Sequence, residues 1–379
     1  MKIVIAPDSF KGSMTSIEAA DAIQRGVEQV NSSWETTLVP MADGGEGTVE
    51  AIMSILGGEK IDRRVRDPLG RQIQASFGWL SETKTAVIET AAASGLPLLT
   101  YSELNPEDSS TYGTGELVEC ALDLGVRRII IGLGGSATVD GGTGFLQALG
   151  IHFLDEKRVE LSQGGKILGH IHTIDSSNLD PRLNDVEWVV ASDVTNPLLG
   201  EEGAVSIFGP QKGVTKDKSM IFEAGMKHYA QKVREHTGID CSTDKGSGAA
   251  GGFGFALKAF FNPSFQSGFS LIAELGGLHK EIKEASLVLT GEGKMDAQSL
   301  YGKVPVGIGR IAKEYHIPTV AFTGKLEGTT QNVSSEGISL VFPIVDSPMS
   351  LDDAMKNGSK LLEKAAERLM RAMTLNNKK

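Results

Sequence analysis

The chain has 379 residues, 40% of them hydrophobic and 22% charged. This excludes a disordered chain with too little apolar mass to offset its ordering entropy, and no apolar run approaches the ~20 residues of a membrane span. The 37 basic and 48 acidic residues give a net charge of −11, which argues against nucleic-acid or anionic-membrane partners, since those are held by basic patches.

At roughly 150 residues per domain, the length predicts two or three domains. A short apolar run at 2–6 predicts a strand ending at Ala6-Pro7-Asp8. The chain enters it without an apolar leader, and Cys120 and Cys241 stand in no metal-binding spacing. A reduced, cytoplasmic protein is expected. Ile17, Ala20, Ile23 and Val27 repeat at helical spacing and predict a helix over 16–30, with Thr15 or Ser16 as N-cap. A second strand over 36–40 runs into Ala42-Asp43-Gly44-Gly45-Glu46-Gly47-Thr48, and a helix over 48–56 ends at Gly57-Gly58. Strand, loop and helix in that order, twice, is the pattern of a parallel sheet. Short strands follow over 61–90, around the turn sequence Asp67-Pro68-Leu69-Gly70. A helix over 115–124, strands over 128–132, 151–154 and 187–192, and a charged helix over 216–236 make up the middle. After residue 284 the α/β rhythm returns, with strands over 287–290, 319–322 and 340–342 and helices over 305–315 and 351–373. The ends share a rhythm that the middle lacks. The expected fold is therefore two α/β domains: a doubly wound parallel-sheet domain built from 1–62 and 284–379, and an inserted mixed α/β domain over 63–283.

Glycine is the compositional outlier, at 46 residues against a usual ~7%. The glycines cluster in pairs at strand ends, which suggests a site built from main-chain N–H groups. The first such loop, Asp8-Ser9-Phe10-Lys11-Gly12-Ser13, offers a carboxylate, an ammonium and two hydroxyls. Lys11 and the loop amides suit a phosphate or carboxylate, or the hydroxyls simply cap a turn. In the second, Gly44, Gly45 and Gly47 surround Glu46 and follow Asp43. A helix cap explains Glu46 but not that glycine density, so a binding loop is expected.

The third loop holds Gly132, Gly134, Gly135, Ser136, Ala137, Thr138, Asp140, Gly141 and Gly142. Gly132 to Ala137 fits a dinucleotide G-x-G-x-x-A pattern, with Asp155 about 20 residues on. The helix that motif requires would have to begin in Thr138-Val139-Asp140-Gly141-Gly142, a poor helix former. A nest of amides for phosphate is the favoured reading. None of the four Gly-Lys pairs is followed by Ser or Thr, so no Walker A loop is present.

Two acidic positions carry candidate chemistry. Asp193 follows a strand and precedes Asn196-Pro197; Asp296 follows Gly291-Glu292-Gly293-Lys294, with Lys303 nearby. A carboxylate in such a loop suits Mg²⁺, which takes one or two carboxylates and leaves its other positions to water and phosphate. It equally suits a base taking a proton from a hydroxyl, or a helix N-cap.

Six motifs, in order along the chain, resemble the bacterial type I glycerate kinases. They are Ala6-Pro7-Asp8-Ser9-Phe10-Lys11-Gly12, the Ala42–Thr48 segment, Asp67-Pro68-Leu69-Gly70-Arg71, the Gly132–Gly142 loop, Gly209-Pro210-Gln211-Lys212-Gly213 and Thr290-Gly291-Glu292-Gly293. The resemblance spans residues 2 to about 372. It implies phosphorylation of D-glycerate with ATP and Mg²⁺, at the 2-hydroxyl rather than the 3-hydroxyl, in a two-domain α/β fold with the site in the interdomain cleft. Phosphoryl transfer needs positioning and charge neutralisation. The expected metal and base positions are Asp193 and Asp296, with Lys11 beside the reacting groups. Lys212, Lys294, Lys303 and the Gly134, Gly135, Ser136, Gly291 and Gly293 backbone are expected at the nucleotide. Asp8, Ser9, Asp43, Gly44, Gly45 and Glu46 are expected at glycerate, whose carboxylate an arginine fork would hold, Arg71 first and Arg66 second. A non-catalytic sensor of a sugar acid or nucleotide, and a nicotinamide enzyme, are the alternatives. The oligomeric state is left open.

Overall fold

A computed structural model describes residues 1–42, 44–45, 47–295, 304–327 and 331–375. Its strands are β1 (Lys2–Ile5), β2 (Glu35–Leu38), β3 (Glu59–Arg66), β4 (Gln72–Leu80), β5 (Thr85–Glu89), β6 (Arg128–Gly132) and β7 (His152–Leu154). They continue as β8 (Thr173–Asp175), β9 (Glu187–Ala191), β10 (Ser264–Gln266), β11 (Leu287–Met295), β12 (Thr319–Leu326) and β13 (Leu340–Pro343). No helix among the described residues is long and apolar enough to cross a membrane.

The contacts divide the chain into two compact units. The first comprises Met1–Asp43, Glu50–Gly57 and Phe269–Lys379; the second comprises Gly44–Val49 and Gly58–Gly268. Sequence places the joins at 62/63 and 283/284. β3 falls in the second unit because its eight residues pair with β4. The helices Gly268–Leu275 and Leu278–Lys283, absent from the sequence reading, go largely with the first.

The first unit holds a five-stranded sheet in the order β13-β12-β11-β1-β2, parallel throughout. In chain order within the unit this is 2-1-3-4-5, a doubly wound arrangement whose winding reverses between β1 and β11. Ile3, Ile5, Leu287, Leu289 and Phe322 are fully or almost fully buried on it. The helix Ser16–Glu28, capped by a reciprocal Thr15–Glu18 box, packs over this core with Gly358–Thr374. The single final helix expected over 351–373 is instead two, Leu351–Lys356 and Gly358–Thr374, joined at Asn357.

The second unit holds a mixed sheet in the order β10-β9-β6-β5-β4-β3. β10, β9, β6 and β5 run parallel, and β4 and β3 close the edge antiparallel. β7 and β8 form a separate antiparallel pair. Phe145 and Phe253 (centroids 4.7 Å apart) and Trp188 and Phe261 (4.7 Å) fill the centre of its core. The helix Ala249–Phe261 has no counterpart in the sequence reading. Its first turn carries left-handed backbone at Ala250, Gly251 and Gly252, so helical periodicity starts late.

Candidate active site

In the first unit the winding reversal brings two expected loops together. Asp8 N donates to Gly291 O (2.9 Å) and Thr290 Oγ1 to Ala6 O (2.7 Å), holding the loop after β1 against β11. Gly293 makes room for this loop, since a Cβ there would sit 3.3 Å from Phe10 Cα. Asp8, Ser9, Lys11, Gly293 and Lys294 thus share one cavity of about 370 Å³, within the roughly 300–1,000 Å³ typical of small-ligand sites. Glu292 and Lys325 also line it. Lys294 and Lys325 flank Glu327 at 2.9 and 2.5 Å, and this pairing holds the Glu327 carboxyl below its ordinary value. Lys325 belongs to the Gly324-Lys325 pair, the first of whose partners is also at the cavity. The far wall is apolar: Phe10, Val304, Ile344, Val345, Leu351, Ala354 and Met355. Sequence reasoning missed that wall, because its members come from three distant segments with no local signature.

In the second unit, the Gly132–Gly142 loop leaves the carboxyl end of β6. The Gly44–Val49 segment lies against it, with Gly134 N donating to Gly44 O (3.4 Å), and against the end of β5, with Val49 N donating to Glu89 Oε1 (2.9 Å). A Cβ on Gly134 would collide with Gly45 Cα, so that position admits only glycine. Gly135 is exposed and has φ +72°. No helix starts in 138–142. The next one, Thr143–Ala148, begins after left-handed Gly142, contrary to what a dinucleotide motif needs.

Ser136 and Lys212 lie beneath the loop, 4% and 2% exposed. Lys212 Nζ donates to Ser136 Oγ (2.6 Å) and Thr138 O (2.9 Å). Burial pushes its ammonium down to about 7, and the nearby Asp140 charge opposes that shift. Asp140 is fully buried, which raises its carboxyl; hydrogen bonds from Thr111 N and Oγ1 and from the Gly142 and Gly144 amides act the other way. The side chains expected to face phosphate therefore brace the loop, and its Gly134–Gly135 backbone is what reaches the surface. Buried Thr90 Oγ1, at the start of the helix Thr90–Ser94 that follows β5, and Thr138 Oγ1, on the loop after β6, have no hydrogen-bond partner among the described residues.

Asp193 is exposed after β9. Arg71 does not present an open fork: Nε meets Asp67 Oδ2 (2.5 Å), Nη1 meets Glu103 Oε1 (2.5 Å) and Nη2 donates to Leu98 O (3.3 Å). Arg66 lies over the Tyr112 ring at 4.3 Å and 3.6 Å from Glu116. Arg71 secures its own turn, and Arg66 ties the end of β3 to the helix Tyr112–Asp123. Asp43, Glu46, Asp296 and Lys303 lie outside the described residues.

Parallel-strand carboxyl ends that offer lysines, exposed glycine backbone and acidic side chains are the equipment of an α/β enzyme acting on small anionic ligands. The chain belongs to the glycerate kinase family, whose model matches residues 3–374. It is 44% identical over 367 residues to the glycerate kinase of Halalkalibacterium halodurans, covering 97% of each chain. It is 44% identical over 356 residues to the glycerate 2-kinase of Escherichia coli, covering 94% of this chain and 93% of that one. A crystal structure from Salmonella typhimurium LT2 matches it with a TM-score of 0.90 at 39% identity, over 100% of both chains.

Proposed function

We propose that this glycerate kinase transfers the γ-phosphoryl group of ATP to the 2-hydroxyl of D-glycerate, giving 2-phosphoglycerate and ADP. The family match over nearly the whole chain carries this reading. The Escherichia coli relative's name supports the 2-position.

The 2-hydroxyl oxygen attacks the γ-phosphorus as the bond to the ADP oxygen breaks. The hydroxyl proton passes to a carboxylate, for which exposed Asp193 is the candidate. Asp296 is the second candidate carboxylate. Lys11 and Lys294 offset phosphate charge; the exposed Gly135 backbone of the second unit is a separate candidate for an anionic group. Arg71, expected at the glycerate carboxylate, is instead held by Asp67, Glu103 and Leu98 O, and Arg66 by Glu116 and Tyr112, so neither is assigned to the substrate.

Among the described residues, no group of three or more His, Cys, Asp and Glu side chains is placed to hold a metal. Mg²⁺ arriving with a nucleotide needs only one or two carboxylates, and hard oxygen donors fit it. Asp8 and Glu292 at the cavity supply that chemistry; Asp193, in the second unit, is a separate candidate. When bound, the ion would neutralise phosphate charge. The test is ADP release on adding D-glycerate to the chain with ATP, with and without Mg²⁺. Mg²⁺-dependent release supports the reading. Ligand binding without turnover would favour a sensor.

A further inference from the structure

We infer that the cavity of the first unit is the nucleotide's own site: the base and ribose lie on the apolar wall, and the phosphates point to Lys11, Lys294 and Lys325. This rests on the kinase reading for the identity of its ligand, but the geometry alone divides the cavity in this way.

Three lysines line this cavity: Lys11 on the loop after β1, and Lys294 and Lys325 near the carboxyl ends of β11 and β12. Lys294 and Lys325 share Glu327 as partner, which a more highly charged phosphate chain can displace, and the Asp8 and Glu292 carboxylates in the same lining suit the divalent cation that accompanies such a chain. The opposite wall offers no charge. Ile344 and Val304 are buried at 3% and 1%, whereas Leu351 is 74% exposed at the cavity's rim. An exposed leucine beside an apolar cavity suits a flat ring laid against it, because covering both removes apolar surface from water. Glycerate, with three carbons and a carboxylate, has no apolar body to match this wall. A nucleotide has both a flat base and an anionic tail, in the order the cavity presents them.

The wall is also pre-formed. Ser350 caps the helix Leu351–Lys356 by accepting from Asp353 N (3.1 Å). Ser13 Oγ donates to Met355 O (2.6 Å), tying that helix to the same loop that carries Lys11. The site also lies at the winding reversal between β1 and β11, where open α/β sheets receive their ligands.

The test uses the full chain and ADP as probe, by titration calorimetry. Ala354→Trp fills the wall. Leu351→Asp changes an exposed residue in the first turn of its helix, where an acid is tolerated, so the fold survives. Each should weaken ADP by about tenfold, ~1.4 kcal/mol of binding free energy, and raise the KM for ATP in step. Inhibition by inorganic tripolyphosphate, which has no base, should be unchanged, and so should the KM for glycerate. Unchanged ADP affinity in the two folded variants would overturn the assignment, as would a rise confined to the glycerate KM. A wild-type chain that binds ADP in this way yet forms no phosphoglycerate would defeat the kinase reading and leave the nucleotide site standing.

Discussion

Lys212 Nζ lies 2.6 Å from Ser136 Oγ, and both side chains are buried beneath a glycine loop. A lysine almost never stays fully buried without a purpose-built environment. Here its two bonds, to Ser136 and to Thr138 O, brace the segment whose amides reach the surface.

That burial predicts a pH dependence of stability. The folded lysine titrates near 7, the unfolded one near 10.4. Between these values the unfolded chain holds a proton that the folded chain lacks, so stability rises with pH. The slope is at most ~1.4 kcal/mol per pH unit for this one group, and it vanishes below pH 7. Urea unfolding at several pH values from 7 to 10 should show this slope as a difference between the wild type and Lys212→Met. A constant difference would mean that Lys212 keeps an ordinary pKa in the fold.

Gly135→Val tests whether the loop serves phosphate or merely packing. Its φ of +72° costs an L-residue roughly 1–2 kcal/mol, and valine's branch would cover the exposed backbone. The expected outcome is a raised KM for ATP or glycerate and a lowered kcat, with a smaller fall in melting temperature. Normal kinetics per folded molecule would show that the loop's glycines serve packing.

Asp193→Asn should lower kcat by at least ~10²-fold, the low end of general-base effects. Because Asp193 is exposed, its melting temperature should match the wild type. Wild-type kcat in this variant would remove Asp193 from the chemistry.

Arg71→Ala separates a carboxylate clamp from a turn lock. Asp67 is 2% exposed and accepts from Leu69 N, Arg71 N and the Arg71 guanidinium. Removing the cation should lower the melting temperature and leave the glycerate KM near wild type. Unchanged melting with a sharply raised glycerate KM would restore the clamp.

Much of this architecture was legible in the sequence because its signals are local. The apolar runs at 2–6 and 287–290 and the loops that follow them predicted β1, β11 and the residues now found around one cavity. The lost signals were of two kinds. Residues 351–373 keep helical periodicity across Asn357-Gly358, a turn pair that breaks the helix there. The roles of Lys212 and Arg71 depend on which partners the fold delivers, at separations of 76 and 32 residues for Ser136 and Glu103. A motif names the residue type but not whether its side chain turns inward.

The most direct test of the central claim is a phosphorus NMR spectrum of the product formed from ATP and D-glycerate by the purified chain with Mg²⁺. The account predicts ADP and a phosphomonoester on carbon 2, coupled to its single proton. A phosphomonoester on carbon 3, or no ester at all with active protein present, would contradict it.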